Sequence, residues 1–214
     1  CIEGIREVDS EGKIVVVSDE NLLNYSRPLI SYYLGEKLKP GEIRFRDEKF
    51  YHQNKVETLL GIKVTRIDTQ KRKVHLDNGR RIKFEKLLLA VWGEPIIPPL
   101  EEREKVTEGV FTFTRFSDAQ KLIHYLEKRR IKSALVLGGG LIGLKCTEGL
   151  VARGVKVTIV ELADRILANT FDREASQILE GLKDVGVDGE AIDVYEVSRL
   201  IMERFKSASG VENP

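Results

Sequence analysis

Cysteine is nearly absent from this sequence: Cys1 and Cys146 are the only two in 214 residues. Two cysteines cannot build a disulfide framework or a metal cluster, and neither sits in a Cys-x-x-Cys pair. A reducing compartment, the cytoplasm, is the expected location. No apolar run reaches the roughly 20 residues that cross a bilayer. No signal peptide is visible either, so no membrane role is expected. The three histidines, His52, His75 and His124, stand isolated in the sequence, where surface or packing roles are expected. Charge of one sign is missing as well. The net charge of +1 gives no reason to expect nucleic acid or an anionic membrane as a partner. Lys128, Arg129 and Arg130 form a compact basic run, but they close a predicted helix, where cations suit the helix dipole. An initiator methionine is also missing. Ile2, Ile5 and Val8 already fall at helical spacing, so the sequence is expected to be truncated at the front.

What is present is a folding composition, 42% hydrophobic and 32% charged, in a length that suits one or two domains. The first helix is expected to end near Asp9. Ile14 to Val17 is a continuous β-branched run, the mark of a strand buried on both faces. Pro28 interrupts the stretch from Asn24 to Gly35. Phe50 to Leu60 has helical spacing. Lys63 to Ile67 and Lys73 to Leu76 alternate as strands, and Asp77-Asn78-Gly79 forms a tight hairpin turn. Ile82 to Val91 is expected to return as a further strand. Pro95, Pro98 and Pro99 then break the chain.

Ser117-Asp118 caps a predicted helix that runs to about Arg130. Ala134 to Leu137 is a predicted buried strand and Gly138 to Gly143 a glycine-rich turn. Leu144 to Arg153 is a predicted helix stopped by Gly154, and Val155 to Val160 the next strand. Asp172 opens a helix to about Leu182. Asp193 and Glu196 form a capping box for a last helix to about Phe205.

The turn Gly138-Gly139-Gly140-Leu141-Ile142-Gly143 matches G-x-G-x-x-G. It follows a strand, opens a helix and has an acid, Glu161, at the end of the next strand, about 20 residues on. That is the context of a dinucleotide-binding β-α-β unit. Gly138 permits the tight turn, Gly140 lets a pyrophosphate approach the backbone, and Gly143 lets helix and strand pack closely. The free N–H groups of Leu141, Ile142 and Gly143 face the phosphates, aided by the helix dipole. Glu161 is placed to accept hydrogen bonds from a ribose diol. Its charge opposes a 2′-phosphate, so NAD(H) is favoured over NADP(H). Arg165, close by in sequence, is either a counterweight to that preference or a surface cation.

A second unit is partly visible. Cys146-Thr147-Glu148-Gly149-Leu150 repeats the Cys, Glu and Gly positions of Cys1-Ile2-Glu3-Gly4-Ile5. Each segment lies on a helix followed by a β-branched strand ending in glutamate, Glu161 in one case and Glu20 in the other. The chain therefore is expected to hold two nucleotide-binding units, the glycine loop of the first falling before Cys1.

Two such units with a hairpin piece between them resemble the FAD/NAD(P)-binding pyridine nucleotide oxidoreductases. The resemblance is carried by Ser18-Asp19-Glu20, by Tyr25-Ser26-Arg27-Pro28-Leu29-Ile30-Ser31, and by Val64-Thr65-Arg66-Ile67-Asp68. Leu87-Leu88-Leu89-Ala90 with Gly93-Glu94-Pro95, and the glycine turn with Glu161-Leu162-Ala163, complete it. It is closest to NADH-dependent flavin reductases that feed rubredoxin, ferredoxin-like centres or nitrite reductase. The resemblance implies that Glu20 holds the adenosine ribose of FAD. Arg27, with Tyr25 and Pro28, lies along the flavin's phosphate and ring side, Val64 meets the adenine through its backbone, and Ala90 lines the strand end near the diphosphate. The family's Ala-Thr-Gly is Ala90-Val91-Trp92 here, and the lysine common after Leu-Ser is Tyr32.

The expected fold class is α/β, with two Rossmann-like nucleotide-binding units on central parallel sheets and a β-hairpin or meander insertion. Residues 1–106 are expected to form a partial FAD-binding domain, 107–190 an NAD(H)-binding domain and 191–214 a C-terminal helix and tail. The expected function is an NADH-dependent flavoprotein reductase that passes electrons through FAD to an acceptor, a redox protein. The flavin carries that chemistry, so no catalytic side chain is assigned. The alternative is a truncated nucleotide-binding module without activity. FAD is expected not to stay bound to the polypeptide as given, and no redox-active cysteine is expected.

Overall fold

The computed structural model describes residues 1–22, 24–95, 97 and 108–181. The capping box at Asp193 and Glu196 and the tail lie outside them. The chain divides into two compact units. One holds Cys1–Ser26 and Arg44–Glu94, the other Arg27–Ile43 and the chain from Pro95 onward. The α/β class holds in both. Among the described residues no helix is long and apolar enough to cross a membrane.

In the first unit, helix α1 (Ile2–Val8) leads into strand β1 (Ile14–Ser18). Helix α3 (Glu48–Gln53) is capped by Asp47, whose carboxylate accepts from Phe50 N at 3.0 Å. The expected helix from Phe50 to Leu60 is not what forms. It stops at Asn54, Lys55 takes a left-handed φ of 50°, and Val56–Leu60 becomes strand β2. The reason is pairing: β2 runs parallel to β1, with Ile14 opposite Val56 and Ser18 opposite Leu60. Every residue of β1 is half-buried rather than enclosed on both faces. Tyr51 is buried between the elements and donates its hydroxyl to Asn24 Oδ1 at 2.7 Å.

An antiparallel meander follows: β3 (Val64–Asp68), β4 (Lys73–Leu76) and β5 (Arg81–Lys83), in that order. Asp77-Asn78-Gly79 makes its turn, with Gly79 at φ 81°. Val74 and Leu76 are buried on one face. The expected strand from Ile82 to Val91 is cut to Arg81–Lys83. Leu87, Leu88, Leu89, Val91 and Trp92 are exposed and outside any strand. An apolar run forms a strand only where a neighbour takes its backbone hydrogen bonds, and among the described residues none lies beside it.

The second unit begins with a 3-10 turn at Arg27–Leu29 and helix α2 (Ile30–Leu34). Helix α4 (Phe116–Arg129) starts one residue before the expected Ser117 cap. Arg115 is the N-cap, and Asp118 reaches back to accept from Thr114 N and Arg115 N, each at 3.0 Å. Strand β6 (Ser133–Leu137) lies parallel to β7 (Lys156–Val160). Helix α5 (Leu141–Ala152) crosses between them, and α6 (Arg173–Gly181) follows a turn capped by Asp172. The expected full burial of Ala134 to Leu137 is corrected: Leu135 and Leu137 are 52% and 44% exposed.

Leu34, Leu122, Leu126, Cys146, Leu150, Val155, Val157 and Ile159 form the core of this unit. Fully burying a Leu or Ile such as Leu34 or Ile159 contributes about 1.5–3 kcal/mol. Helix α2 seats on α5 at Gly149, where an added Cβ would stand 2.8 Å from Leu34 Cδ2. Arg153, largely buried, ties the same helices together. It donates to the Leu34 carbonyl and pairs with Glu36 at 3.1 Å and Glu127 at 3.3 Å.

Candidate functional site

The site is built where β6 gives way to α5. The parallel ladder ends with Leu137 opposite Val160. Gly138 N adds one further bond to Val160 O at 2.7 Å, and the chain then turns with Gly138 at φ 106°. A side chain is strained at that angle, which is why glycine stands there. Gly140 is the N-cap of α5, and the helix opens at Leu141, inside the expected turn and three residues before the expected Leu144. The N–H groups of Leu141, Ile142 and Gly143 belong to the first helical turn and have no acceptor within the helix.

The glycines differ sharply in what surrounds them. A Cβ on Gly143 would lie 1.9 Å from Gly138 O, a backbone atom that cannot give way cheaply. A Cβ on Gly140 would meet nothing within 4 Å. Gly143 is therefore a requirement of the protein's own packing. Gly140 keeps one flank of the helix start clear of protein atoms among the described residues, which leaves room for a ligand to approach the backbone.

Glu161 follows β7 directly and closes the turn from the other side. Its Oε2 accepts from Gly139 N at 2.5 Å, and its Oε1 accepts from Leu162 N at 2.7 Å and Ala163 N at 3.0 Å. A carboxylate offers about four acceptor positions. Three are taken by backbone, which leaves one for a ribose hydroxyl. The bond to Gly139 is a feature that pattern reading missed, since it joins residues 22 positions apart. Leu167 N also donates to Gly139 O at 2.9 Å, so the chain after Glu161 braces the turn. Arg165 is held by Asp164 Oδ1 at 2.9 Å and by the Ala168 carbonyl at 3.4 Å.

The other expected residues are placed as follows. Glu20, at the end of β1 in the first unit, accepts the Tyr25 hydroxyl on Oε2 at 2.6 Å. Val64 opens β3, and Ala90 is exposed in the segment after β5. Arg27 belongs to the second unit, where its Nη1 donates to Thr114 O at 2.6 Å. Sequence reasoning also missed a polar cluster along α5. Lys145, one turn past the helix start, ion-pairs with Glu148 and lies 4.6 Å from the Tyr32 ring centroid. Glu148 holds the Lys145 ammonium above its ordinary range and is itself drawn below the usual carboxylate range, chiefly by Lys145.

Cys146 is buried in the core, and burial pushes its thiol up to about 12. It is not a thiolate at neutral pH. His52 and His124 are exposed and His75 is half-buried in β4. Among the described residues no cluster of His, Cys, Asp and Glu could hold a metal ion.

A family model described as pyridine nucleotide-disulphide oxidoreductase matches residues 1–191. The chain is 34% identical over 201 residues to the NADH-dependent phenylglyoxylate dehydrogenase subunit epsilon of Aromatoleum evansii, covering 94% of this chain and 46% of that protein. It is 31% identical over 180 residues to the ferredoxin–NAD(+) reductase component of the p-cumate 2,3-dioxygenase system of Pseudomonas putida, covering 83% and 43%. The ferredoxin reductase for the CYP199A2 system of Rhodopseudomonas palustris superposes with a TM-score of 0.75 at 27% identity, over 85% of this chain and 44% of that one. The chain thus spans less than half the length of each of these proteins.

Proposed function

Because the chain belongs to the pyridine nucleotide-disulphide oxidoreductase family, we propose that it serves an NADH-dependent flavoprotein reductase and that its second unit holds the NADH. The observation that carries this reading is the contrast at the glycine turn: Gly143 is demanded by the Gly138 carbonyl, while Gly140 faces open space. The turn therefore fits a dinucleotide. The first-turn N–H groups of Leu141, Ile142 and Gly143 bind the pyrophosphate, and Gly140 lets it approach. Glu161 uses its remaining acceptor position on the ribose and sets a negative charge against a 2′-phosphate. Arg165, engaged by Asp164 and Ala168, does not offset that charge.

The residues of the first unit fit the adenosine end of FAD. Glu20 stands half-buried at a strand end, steadied by the Tyr25 hydroxyl. We assign Glu20 to the adenosine ribose, Val64 to the adenine through its backbone, and Ala90 to the diphosphate end. In the second unit we assign Arg27 to the flavin side, positioned by its bond to the Thr114 carbonyl. FAD held by these residues would supply the two-electron to one-electron exchange between NADH and an acceptor. We assign residues 1–106 to FAD and 107–190 to NAD(H), with Arg27–Ile43 packing as part of the second compact unit. The relatives named for ferredoxin support a redox protein as the acceptor. The low cysteine content supports the cytoplasm as its place.

The test is NADH oxidation by the chain supplied with FAD and a neutral quinone acceptor, beside calorimetric titration of NADH. Saturable NADH binding with quinone reduction is expected. NADH binding without turnover at any FAD concentration would support a nucleotide-binding module instead. Absence of NADH binding would overturn the reading.

A further inference from the structure

We propose that Lys145 binds the diphosphate of the dinucleotide, leaving Glu148 to Lys37 when the ligand arrives. The proposal deepens the NADH reading of the second unit and rests on it.

The glycine pattern assigns no role to the position two residues past Gly143, and in this chain that position holds a lysine. Lys145 stands four residues after Leu141, the first residue of α5. Four residues are about 6 Å of helix, and side chains at that spacing share a face. Every Cα–Cβ bond in a helix tilts toward its N-terminus. Lys145 therefore starts one turn from the first-turn N–H groups and leans toward them. Its flexible four-carbon stem spans that turn.

The Lys145 ammonium shares its partners with a second cation. It pairs with Glu148 and lies 4.6 Å from the Tyr32 ring centroid. Lys37, in the turn after α2, reaches the same two groups. Its Nζ is 3.1 Å from Glu148 Oε1 and 5.3 Å from the Tyr32 ring centroid. Two ammonium groups thus meet one carboxylate, an excess of one positive charge. Departure of Lys145 leaves Glu148 still paired and the Tyr32 ring still faced by a cation. A pair as exposed as Lys145 and Glu148 adds little to stability, so its exchange for a ligand costs the fold little.

An excess cation one turn from a helix start fits an anion at that start. The helix terminus alone offers the equivalent of about half a positive charge, less than a doubly negative diphosphate needs. Glu161 adds a negative charge to the same turn, which a nearby cation offsets. The other cations from Gly138 to Ala163 stand elsewhere. Arg153 follows the far end of α5, where it is bound to the Leu34 carbonyl, Glu36 and Glu127. Lys156 opens β7, at the opposite end of that strand from Glu161. Among the described residues of the β-α-β unit, Lys145 is the cation within a turn of the phosphate donors.

The test is calorimetric titration of the full chain with NADH and with ADP-ribose, which keeps the diphosphate and lacks the nicotinamide. Lys145→Gln should weaken both ligands about tenfold at low ionic strength, the loss of one charge-assisted hydrogen bond. It should also flatten the salt dependence of both. Lys145→Arg keeps the charge and should stay within about threefold of the parent chain. Glu148→Gln frees Lys145 and removes a negative charge, so both ligands should bind more tightly. The melting temperature of Lys145→Gln should hold within about 2 °C, and Lys145→Met repeats the titration should it fall further. Unchanged affinity for both ligands in Lys145→Gln would overturn the proposal. So would a loss for NADH without one for ADP-ribose, which would put Lys145 on the nicotinamide half. Weaker binding in Glu148→Gln would overturn it too, because the Lys145–Glu148 pair would then itself be the requirement. A parent chain that binds neither ligand would refute the NADH reading. A parent chain that binds both, with Lys145→Gln its equal, would refute this proposal alone.

Discussion

Replacing Gly140 and Gly143 in turn by alanine separates what the protein needs from what the nucleotide needs. At Gly143 the new Cβ would start 1.9 Å from Gly138 O. An ordinary contact is about 3.4 Å, so helix and turn must separate by about 1.5 Å. Overpacking of this kind costs about 1–3 kcal/mol, and a backbone obstacle places it at the upper end. The better helix propensity of alanine returns about 0.8–1 kcal/mol. The net loss is about 2 kcal/mol, or about 4–8 °C in melting temperature for a chain of this size. NADH binding should fall with it, because the phosphate donors move. At Gly140 the backbone is extended, with φ −75°, and a Cβ meets nothing within 4 Å. Alanine is only a poorer N-cap there, worth about 0.5–1 kcal/mol. Its methyl occupies the room kept for the pyrophosphate, so NADH affinity should drop at least tenfold, about 1.4 kcal/mol. Thermal melts and calorimetric titrations of both variants decide the matter. Full NADH affinity in Gly140→Ala would refute the idea that this open flank serves a ligand.

Glu161→Ala should shrink the preference for NADH over NADPH about tenfold, near 1.4 kcal/mol, as read by competitive titration. An unchanged ratio would mean that selectivity arises elsewhere. Cys146, with its thiol at about 12 in the fold and an ordinary value of 9.0, binds its proton more tightly folded than unfolded. The stability it contributes is complete below pH 9 and is lost as pH rises toward 12, so Cys146→Ala should flatten the alkaline decline in denaturant melts. A thiol reagent should label Cys1 alone in the native chain, and rapid native labelling of Cys146 would contradict its burial. Gly149→Ala presses on the Leu34 side chain and should cost about 1–3 kcal/mol. A melt unchanged by that substitution would show that α2 and α5 are not in close contact.

Much of this was legible before any coordinates. The glycine turn, the parallel pair around it and Glu161 follow from one spacing, because a phosphate-binding β-α-β unit admits few alternatives. The Asp77-Asn78-Gly79 turn was equally direct. Phe50 to Leu60 was not. Its apolar residues suit a helix or a strand, and the left-handed Lys55 that divides them carries no compositional mark. The run from Leu87 to Val91 has strand composition, but composition does not supply a neighbouring strand. Glu161 was legible as the acid that follows the second strand and not as the acceptor of Gly139 N, a contact made only once β6 and β7 are in register. The cluster of Lys37, Lys145 and Glu148 was hidden for a related reason. Lys37 and Glu148 lie 111 positions apart and meet only where α2 packs on α5.

The central claim is that NADH lies across the start of α5, on the first-turn N–H groups. The most direct measurement is an amide NMR titration of the isotope-labelled chain with NADH and, separately, with NADPH. The account predicts saturable shifts concentrated at Gly139, Leu141, Ile142, Gly143, Leu162 and Ala163, at lower concentrations of NADH than of NADPH. Saturable binding that leaves those six amides unmoved would contradict it, as would tighter binding of NADPH.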